Sequence, residues 1–211
     1  MKMRYTKEEY AKMINLTDLK ERGWTNSMVE KLLPEPMLFP NPRYRSAAPM
    51  KRWWIEEVEA VEQTQEFQIL FQKAAKRRAS GYAVAAKRRV ETMNMVNNVI
   101  ENLQVQVLPK NVLERETLGA KEYWESQKSN FEGIYNVSDQ VLVRWEVNFI
   151  RHNLTNYDYV LNNLVGLVGK AEAYDILKTA VLDKIGMTYP YLKTECERQK
   201  GAELNKALLR F

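Results

Sequence analysis

Cysteine and histidine are almost absent from this chain, since Cys196 and His152 are each the only residue of their kind among 211. A single cysteine excludes an intramolecular disulfide and a zinc site built from several thiolates. One histidine gives little support to a histidine-rich metal site or to Cys–His catalysis. The sequence therefore predicts no metal and no other cofactor, and packing must stabilise the fold, for which a chain of this length is sufficient.

Glycine and proline are also scarce, with 8 and 7 residues in the whole chain. Few chain-breaking residues favour long helices over a sandwich with many turns. Hydrophobic residues make up 45% of the chain and charged residues 28%, which is ordinary for a globular protein. These proportions predict a folded, mainly α protein rather than a disordered chain.

Long apolar runs are missing as well. No stretch approaches the roughly 18 uninterrupted apolar residues of a membrane span, and the N-terminal residues are too polar for a secretory signal. The sequence thus predicts a cytoplasmic protein with no membrane partner. A bacterial or phage origin fits this prediction, with the nucleoid as the expected location in a bacterium, and a eukaryotic nucleus is also compatible.

Acidic residues are absent between Glu66 and Glu91, and this stretch is the most informative part of the sequence. Seven cations lie there, whereas the net charge of the whole chain is +5, so all other residues together carry −2. Positive charge concentrated in one segment is typical of a phosphate-binding surface. The seven residues are Lys73, Lys76, Arg77, Arg78, Lys87, Arg88 and Arg89.

Within this stretch the pentapeptide Ala74–Arg78 recurs as Ala85–Arg89, eleven positions later. In one helix, eleven residues advance about 16 Å and return to within about 20° of the starting direction, so both basic triplets are expected on the same side. Such a face suits two successive phosphate contacts. A solvated face that pairs with acidic residues elsewhere in the protein is nearly as well supported. An apolar sector of the same helix is predicted to pack, and it comprises Ala75, Ala79, Tyr82, Ala86, Val90 and Met93.

Turn and capping residues divide the chain into four predicted segments. They are an N-terminal helix (1–14), a small module (15–62), a long basic helix (63–108) and a C-terminal helical domain (109–211). In the module, Gly23 separates two short helices, and the prolines that follow impose a hairpin or an extended loop. Pro49 is expected to start a helix that continues towards Leu103, and a break at Ser80–Gly81 is left open.

The order of motifs in the module is recognisable. Asp18–Glu30 has the pattern of a helix-turn-helix, and Arg43–Tyr44–Arg45 follows it as a basic–aromatic–basic turn. In these features the block 16–62 resembles the winged helix-turn-helix of MerR-type regulators and excisionases. Asn41–Tyr44 followed by Pro49–Trp54 is also similar to the C-terminal part of the DNA-binding domain of the xeroderma pigmentosum group A repair protein. The resemblance covers under a quarter of the chain and implies a DNA-binding module with a β wing.

The implied wing carries a second basic cluster, formed by Arg43 and Arg45 with Lys51 and Arg52 nearby in sequence. A wing arginine can enter a minor groove or hold a phosphate. A surface loop whose Tyr44 covers the core is an equally weighted alternative. The sequence leaves both interpretations of the wing open.

The second helix of the module departs from what the resemblance implies. Its exposed side offers a poor set of base readers, and Glu30 would face phosphates unfavourably in a groove. Sequence-specific readout by this helix is therefore not expected. The residues concerned are Asn26, Ser27, Glu30 and Lys31.

For His152 and for the pair Trp53–Trp54, a role in the fold is favoured over a role in chemistry or binding. His152 with Tyr157 and Asp158 could support acid–base chemistry, but a hydrogen-bonded structural histidine is favoured. Trp53 and Trp54 are predicted in the helix that starts at Pro49, with at least one of them in the core.

Known catalytic motifs are missing: there is no phosphate-cradling loop, no paired-metal carboxylate motif and no nucleophile elbow. The chain is therefore expected to be a non-enzymatic nucleic-acid-binding protein, with duplex DNA as the main candidate. A helical adaptor for an acidic protein and an RNA-binding protein are the alternatives. A homodimer, or a protein partner bound through the long helix or the C-terminal domain, is left open.

Overall fold

The computed structural model describes residues 5–41, 44, 46–128 and 134–208, the last seven of them by their backbone only. Helices dominate these residues, which confirms the predicted mainly α fold. The helices are α1 (Lys7–Ala11), α2 (Leu16–Glu21), α3 (Asn26–Leu32), α4 (Ile55–Glu62), α5 (Gln65–Glu101), α6 (Lys110–Ser126), α7 (Asp139–Asn153), α8 (Tyr157–Asn163), α9 (Lys170–Thr188) and α10 (Lys193–Leu208). The strands are β1 (Met13–Asn15), β2 (Met37–Phe39) and β3 (Met50–Trp54).

The chain divides into two compact units, residues 1–84 and 85–211, and the boundary between them lies within α5. Each unit has a hydrophobic cluster of its own. The long basic helix predicted from the sequence therefore contributes one copy of the repeated pentapeptide to each unit. No helix in the described parts of the chain is long and apolar enough to cross a membrane.

A three-stranded antiparallel sheet of order β1–β3–β2 lies in the first unit. β3 pairs with β1 through Trp53 opposite Ile14 and with β2 through Lys51 opposite Leu38. The helix predicted to start at Pro49 is therefore wrong over its first turns, because these residues form β3. A partner strand on each edge satisfies the β3 backbone, and this pairing outweighs local helix signals.

The N-terminal helix predicted over residues 1–14 is wrong at its C-terminal end. α1 begins after Thr6, whose hydroxyl accepts a hydrogen bond from the Glu9 amide while the Glu9 carboxylate accepts one from the Thr6 amide. Met13 and Ile14 belong to β1, where both are buried. Residues 1–4 of that prediction lie outside the described residues.

The turn between α2 and α3 has the geometry that the sequence predicts. Gly23 adopts a φ of 93°, and the amides of Gly23 and Trp24 donate to carbonyls in the last turn of α2 at 2.9 and 3.0 Å. These two bonds complete the glycine-dependent end of a helix known as the Schellman motif. Thr25 then caps α3 by accepting a hydrogen bond from the Met28 amide at 3.3 Å.

Glu62, near the end of α4, holds this turn in place. Its carboxylate accepts hydrogen bonds from the Trp24 indole at 2.8 Å and from the Arg22 guanidinium. Burial favours the neutral acid, but the hydrogen bonds from Arg22 and Trp24 outweigh it and hold the pKa of Glu62 below its ordinary value. The turn between α2 and α3 is thus fixed to α4 by a charged network around a buried indole.

α5 is one uninterrupted helix of 37 residues, so it has no break at Ser80–Gly81. The break lies instead between α4 and α5, where the Thr64 hydroxyl accepts a hydrogen bond from the Phe67 amide at 3.2 Å. The apolar sector of this helix does not pack within the described chain over most of its length, since Tyr82 is 74% exposed and Val90 is 58% exposed, and packing against a second copy stays a prediction. Ala79 and Ala86 are exposed as well, whereas the two ends of the sector, Ala75 and Met93, are half-buried.

The core of the second unit surrounds α9. Ala173, Leu177, Val181 and Ile185 recur at four-residue spacing on this helix and are fully buried. Such a stripe is the packing face of a central helix. α7, α8 and α10 pack against it.

An extended segment connects α5 to α6 at residues 103–109. The Tyr189 hydroxyl donates to the Gln106 carbonyl at 3.1 Å and accepts from the Leu108 amide at 2.9 Å. The Gln106 amide donates to the Leu154 carbonyl at 3.0 Å. The segment is therefore held by hydrogen bonds within the second unit, although no strand pairs with it.

Candidate nucleic-acid interface

The third cation of the first repeat is used inside the first unit. Arg78 donates from Nη1 to the Gly23 carbonyl at 2.9 Å, and its guanidinium lies 5.8 Å from the centre of the Phe71 ring. Gly23 is pressed against this surface, since a Cβ built on it would lie 2.6 Å from a carbon of Phe71. Arg78 thus fixes α5 to the turn between α2 and α3.

The third cation of the second repeat has the same role in the second unit. Arg89 donates from Nε to a Glu172 carboxylate oxygen at 2.7 Å and forms an ion pair with it. Gly169, with a φ of 83°, precedes α9 and lies against this arginine, so that a Cβ there would be 2.9 Å from Arg89 Cγ. We refer to Arg78 and Arg89 as the docking arginines, because each fixes α5 to the body of its own unit.

The first two cations of each repeat behave differently. Lys76 and Arg77, and likewise Lys87 and Arg88, are exposed, and their side chains have no hydrogen bond or ion pair with any described residue. We call these four residues the leading pairs. Lys73, one turn earlier, is exposed in the same way. The leading pairs therefore carry positive charge that no described carboxylate neutralises.

The wing cluster is only partly available for binding. The Arg52 guanidinium lies 3.8 Å from the centre of the Tyr10 ring and donates to the Met13 carbonyl at 3.3 Å, so its position is structural. Lys51 is exposed on β3. The predicted contacts of Arg43 and Arg45 lie outside the described residues.

The surface of α3 agrees with the expectation of poor base readout. Lys31 forms an ion pair with Glu66 of α5 at 2.6 Å, and Ser27 shares a hydrogen bond with Thr25. Asn26 and Glu30 are exposed. The free charge on this helix is thus a carboxylate, which phosphates repel.

His152 is hydrogen-bonded and Trp53 is buried. His152 Nδ1 lies 2.7 Å from an Asp158 carboxylate oxygen, and its ring meets that of Tyr157 edge to face. Trp53 is buried and donates from its indole to the Pro34 carbonyl at 2.9 Å. The predicted hydrogen-bonded histidine and the predicted core tryptophan are both confirmed, although Trp53 lies on a strand rather than a helix.

One surface was missed by the sequence predictions. A groove between α6 and α7 in the second unit gathers aromatic and basic side chains, among them Lys121, Trp145 and Arg151. Its signal was the spacing of Arg144, Asn148 and Arg151 on α7 and of Lys121 and Trp124 on α6, which places the residues of each helix on one face. The two helices are consecutive in the chain, but each pattern describes one helix only, so neither revealed that the two faces share a groove.

Comparison of the chain with protein-family models, with curated proteins and with solved structures gave no match.

Proposed function

We propose that this protein binds duplex DNA without catalysing a reaction, and that the leading pairs of α5 provide most of the affinity. The observation that carries this proposal is their exposure without a neutralising partner among the described residues. The acid-free stretch from residue 67 to 90 holds all four of these cations, and Glu91, the carboxylate that follows it on α5, makes no ion pair with Lys87 or Arg88. An exposed lysine or arginine in such a setting gains most by replacing the counterions of a phosphate backbone.

The first unit supports duplex DNA over other polyanions. Two short helices joined by a tight turn, then a hairpin and another helix, follow the order of a helix-turn-helix with a β wing. The carboxylate on α3 and the ion pair of Lys31 argue against base readout by that helix. We therefore expect binding that depends on phosphates and has low sequence preference. Arg43 and Arg45 remain candidates for a contact that orients the wing.

The test is a fluorescence-anisotropy titration of the whole protein with a short labelled DNA duplex, the same sequence as single-stranded DNA and as duplex RNA, at about 50 and about 200 mM salt. Replacing Lys76, Arg77, Lys87 and Arg88 with Gln is expected to weaken duplex DNA binding by more than about tenfold. The slope of log affinity against log salt should fall by about 3 to 4, because each lost phosphate contact removes roughly 0.9.

A charge-matched variant provides the control. It replaces four exposed lysines outside the proposed surface, Lys7, Lys20, Lys170 and Lys184, with Gln. This variant has the same net charge but keeps the leading pairs, so it should retain most of the affinity and of the salt slope. An equal loss in both variants would show that net charge alone drives binding and would overturn the assignment to α5.

Failure of the unmodified protein to bind any of the three nucleic acids at low salt would overturn the proposal as a whole. The exposed leading pairs would then fit an acidic protein partner, and salt-sensitive binding to that partner would be the next measurement.

A further inference from the structure

The groove between α6 and α7 lies entirely within the second unit and has a volume of about 800 Å³. α6 contributes five side chains between Thr117 and Trp124, and α7 contributes seven between Arg144 and Asn153. A concave surface of this size is in the range of ligand-binding sites. None of its residues belongs to the proposed duplex-binding surface.

The charge of the groove is one-sided. Lys121, Arg144 and Arg151 are among the described residues that line it, and no aspartate or glutamate is. Arg144 is exposed and has no hydrogen bond or ion pair with another described residue. Arg151 donates to the side chains of Asn148 and Gln199 at 3.3 and 3.4 Å and contacts the ring nitrogen of His152 at 3.1 Å, and none of these partners is a carboxylate that would neutralise its charge.

The two arginines are seven residues apart, which places them two turns and about 10 Å from each other on one face of α7. Lys121 lies on the opposite wall, where Glu125 neutralises part of its charge. Cationic charge distributed along a groove suits a chain of phosphates better than a single small anion.

The groove is also lined by exposed aromatic rings. Tyr123 is 71% exposed and Trp124 is 56% exposed, although burial of such rings would be strongly favourable. The Lys121 ammonium lies 4.2 Å from the centre of the Trp124 ring and 5.3 Å from that of Trp145, so it bridges the two walls of the groove. Tyr123 makes no ring contact with a described residue, which leaves its face free to stack.

The groove also contains polar groups that have no hydrogen-bond partner among the described residues. The Thr117 side chain is 2% exposed, and its hydroxyl has no hydrogen-bond partner among the described residues. The Asn148 amide nitrogen likewise makes no hydrogen bond with a described residue, while its oxygen is held by Arg151. An oriented amide in the same groove as an open aromatic ring can pair with the edge of a base.

We propose that the α6–α7 groove binds single-stranded nucleic acid, with a base stacked on Tyr123 and phosphates bound by Arg144 and Arg151. Stacking is tolerant of base identity, because every base has a flat face, and phosphate contacts add affinity that depends on salt. An acidic peptide would use the cations but would gain little from an open tyrosine ring and a free amide. This site is separate from duplex binding by α5 and does not depend on it.

The test uses the whole protein with the leading pairs replaced by Gln, so that the proposed duplex-binding surface does not contribute. Labelled oligo(dT) is titrated at low salt, and an abasic oligomer with the same number of phosphates serves as the probe without bases. We expect oligo(dT) to bind about tenfold more tightly than the abasic strand, which is the effect of stacking about one base. Equal affinity for the two strands would overturn the proposal, because it would show attraction of charge alone.

Variants of the groove locate the site. Arg144→Gln with Arg151→Gln should weaken oligo(dT) binding by about tenfold or more and reduce its salt dependence. Tyr123→Ala should remove the preference over the abasic strand, and Tyr123→Phe should keep it. Lys170→Gln with Lys184→Gln on α9 is the charge-matched control for the double arginine variant and should bind like its parent.

A competition experiment distinguishes single-stranded nucleic acid from an acidic peptide as the ligand of the groove. Polyglutamate that displaces oligo(dT) as well as an equally charged unlabelled oligonucleotide would assign the groove to acidic peptides and overturn the proposal. Unchanged binding in the double arginine variant would place the strand elsewhere on the protein, with the same consequence. Circular dichroism of each variant excludes loss of the fold as the cause.

Discussion

The two copies of the repeated pentapeptide are identical in sequence, yet their third cations are satisfied by different chemistry. Arg78 donates to a backbone carbonyl, which is neutral, so the first copy keeps its full positive charge. Arg89 pairs with the Glu172 carboxylate, so one charge of the second copy is neutralised. The same position therefore docks the helix in both units but leaves them with different amounts of free charge.

In both copies, docking to the unit and exposure to a ligand fall to different members of the same three consecutive cations. In each copy the third side chain turns to its own unit, where it meets a glycine of positive φ, and the first two remain exposed. Neighbouring residues on a helix differ in direction by about 100°. The third cation of each copy can therefore face its own unit while the first two face solvent. Counting arginines and lysines in the sequence therefore overestimates the charge available to a ligand.

The largest effect is expected from Gly23→Ala, which disrupts the contact between α5 and the Gly23 turn in the first unit only. Alanine at a φ of 93° is strained, and its Cβ would lie 2.6 Å from Phe71. We expect the free energy of unfolding of the first unit to fall by about 2–4 kcal/mol. Hydrogen exchange resolved by peptide should show faster exchange in α2 and α3 and little change in α9.

Gly81→Ala is the matched control, because this glycine lies within α5 and a Cβ there would meet no atom within 4 Å. It should stabilise the helix by about 0.5–1 kcal/mol. A similar effect of both substitutions would contradict the docking role of the Gly23 turn.

An intermediate effect is expected from pH, because each unit contains a glutamate whose pKa is shifted in the opposite direction. The hydrogen bonds to Glu62 outweigh its burial and lower its pKa, so the stability that it gives to the first unit is present at neutral pH and is lost as the pH falls through that lowered value. Burial raises the pKa of Glu146, which is 1% exposed, so the second unit loses stability as the pH rises through that raised value.

Two isosteric variants test this contrast by thermal unfolding across the acidic to neutral range. Glu62→Gln should lower the unfolding temperature at neutral pH, and the difference from the unmodified protein should shrink in acid. Glu146→Gln should raise the unfolding temperature at neutral pH and have less effect in acid, since the neutral side chain then resembles the protonated glutamate. Parallel pH profiles for the two variants would exclude the assigned shifts.

The smallest effect is expected from Glu172→Gln, which removes the difference between the two copies. The ion pair with Arg89 is exposed, so its loss should cost less than about 1 kcal/mol of stability. If the α5 cations bind phosphates, the released charge should strengthen duplex binding a few-fold and steepen the salt slope by up to about 0.9. Glu122→Gln, which removes an exposed carboxylate of α6, controls for net charge. Equal gains from both variants would show that Arg89 is not specifically released.

The sequence predicts those features of the fold that local chemistry determines. Gly23 and Thr25 were identified as the end and the start of short helices because positive φ and side-chain capping are properties of single residues. The acid-free basic stretch was equally visible, since it is a property of composition. The strand β3 could not be predicted, because the hydrophobic pattern of Met50–Trp54 does not distinguish a strand from a helix. Its backbone hydrogen bonds are made by β1 and β2, which only the fold brings next to it.

The division of the basic residues into docking and free cations could not be predicted from the sequence. The partners of the docking arginines lie 55 and 83 residues away, and one of them is a carbonyl, which every residue has. The α6–α7 groove was missed for a different reason, since its walls come from two consecutive helices whose facing sides are set by how they pack. Contacts of this kind depend on tertiary structure, which local patterns do not encode.

Tyr189 shows how one side chain can take the place of a neighbouring strand. Its hydroxyl engages one carbonyl and one amide of the segment that connects α5 to α6, as a paired backbone would. Extended chain with unpaired peptide groups can recruit a strand from another molecule. Because the phenol, with the carbonyl of Leu154, occupies these groups, the segment has less to offer such a strand. We therefore expect Tyr189 to make this segment of the second unit a poorer site for pairing with a strand of another molecule.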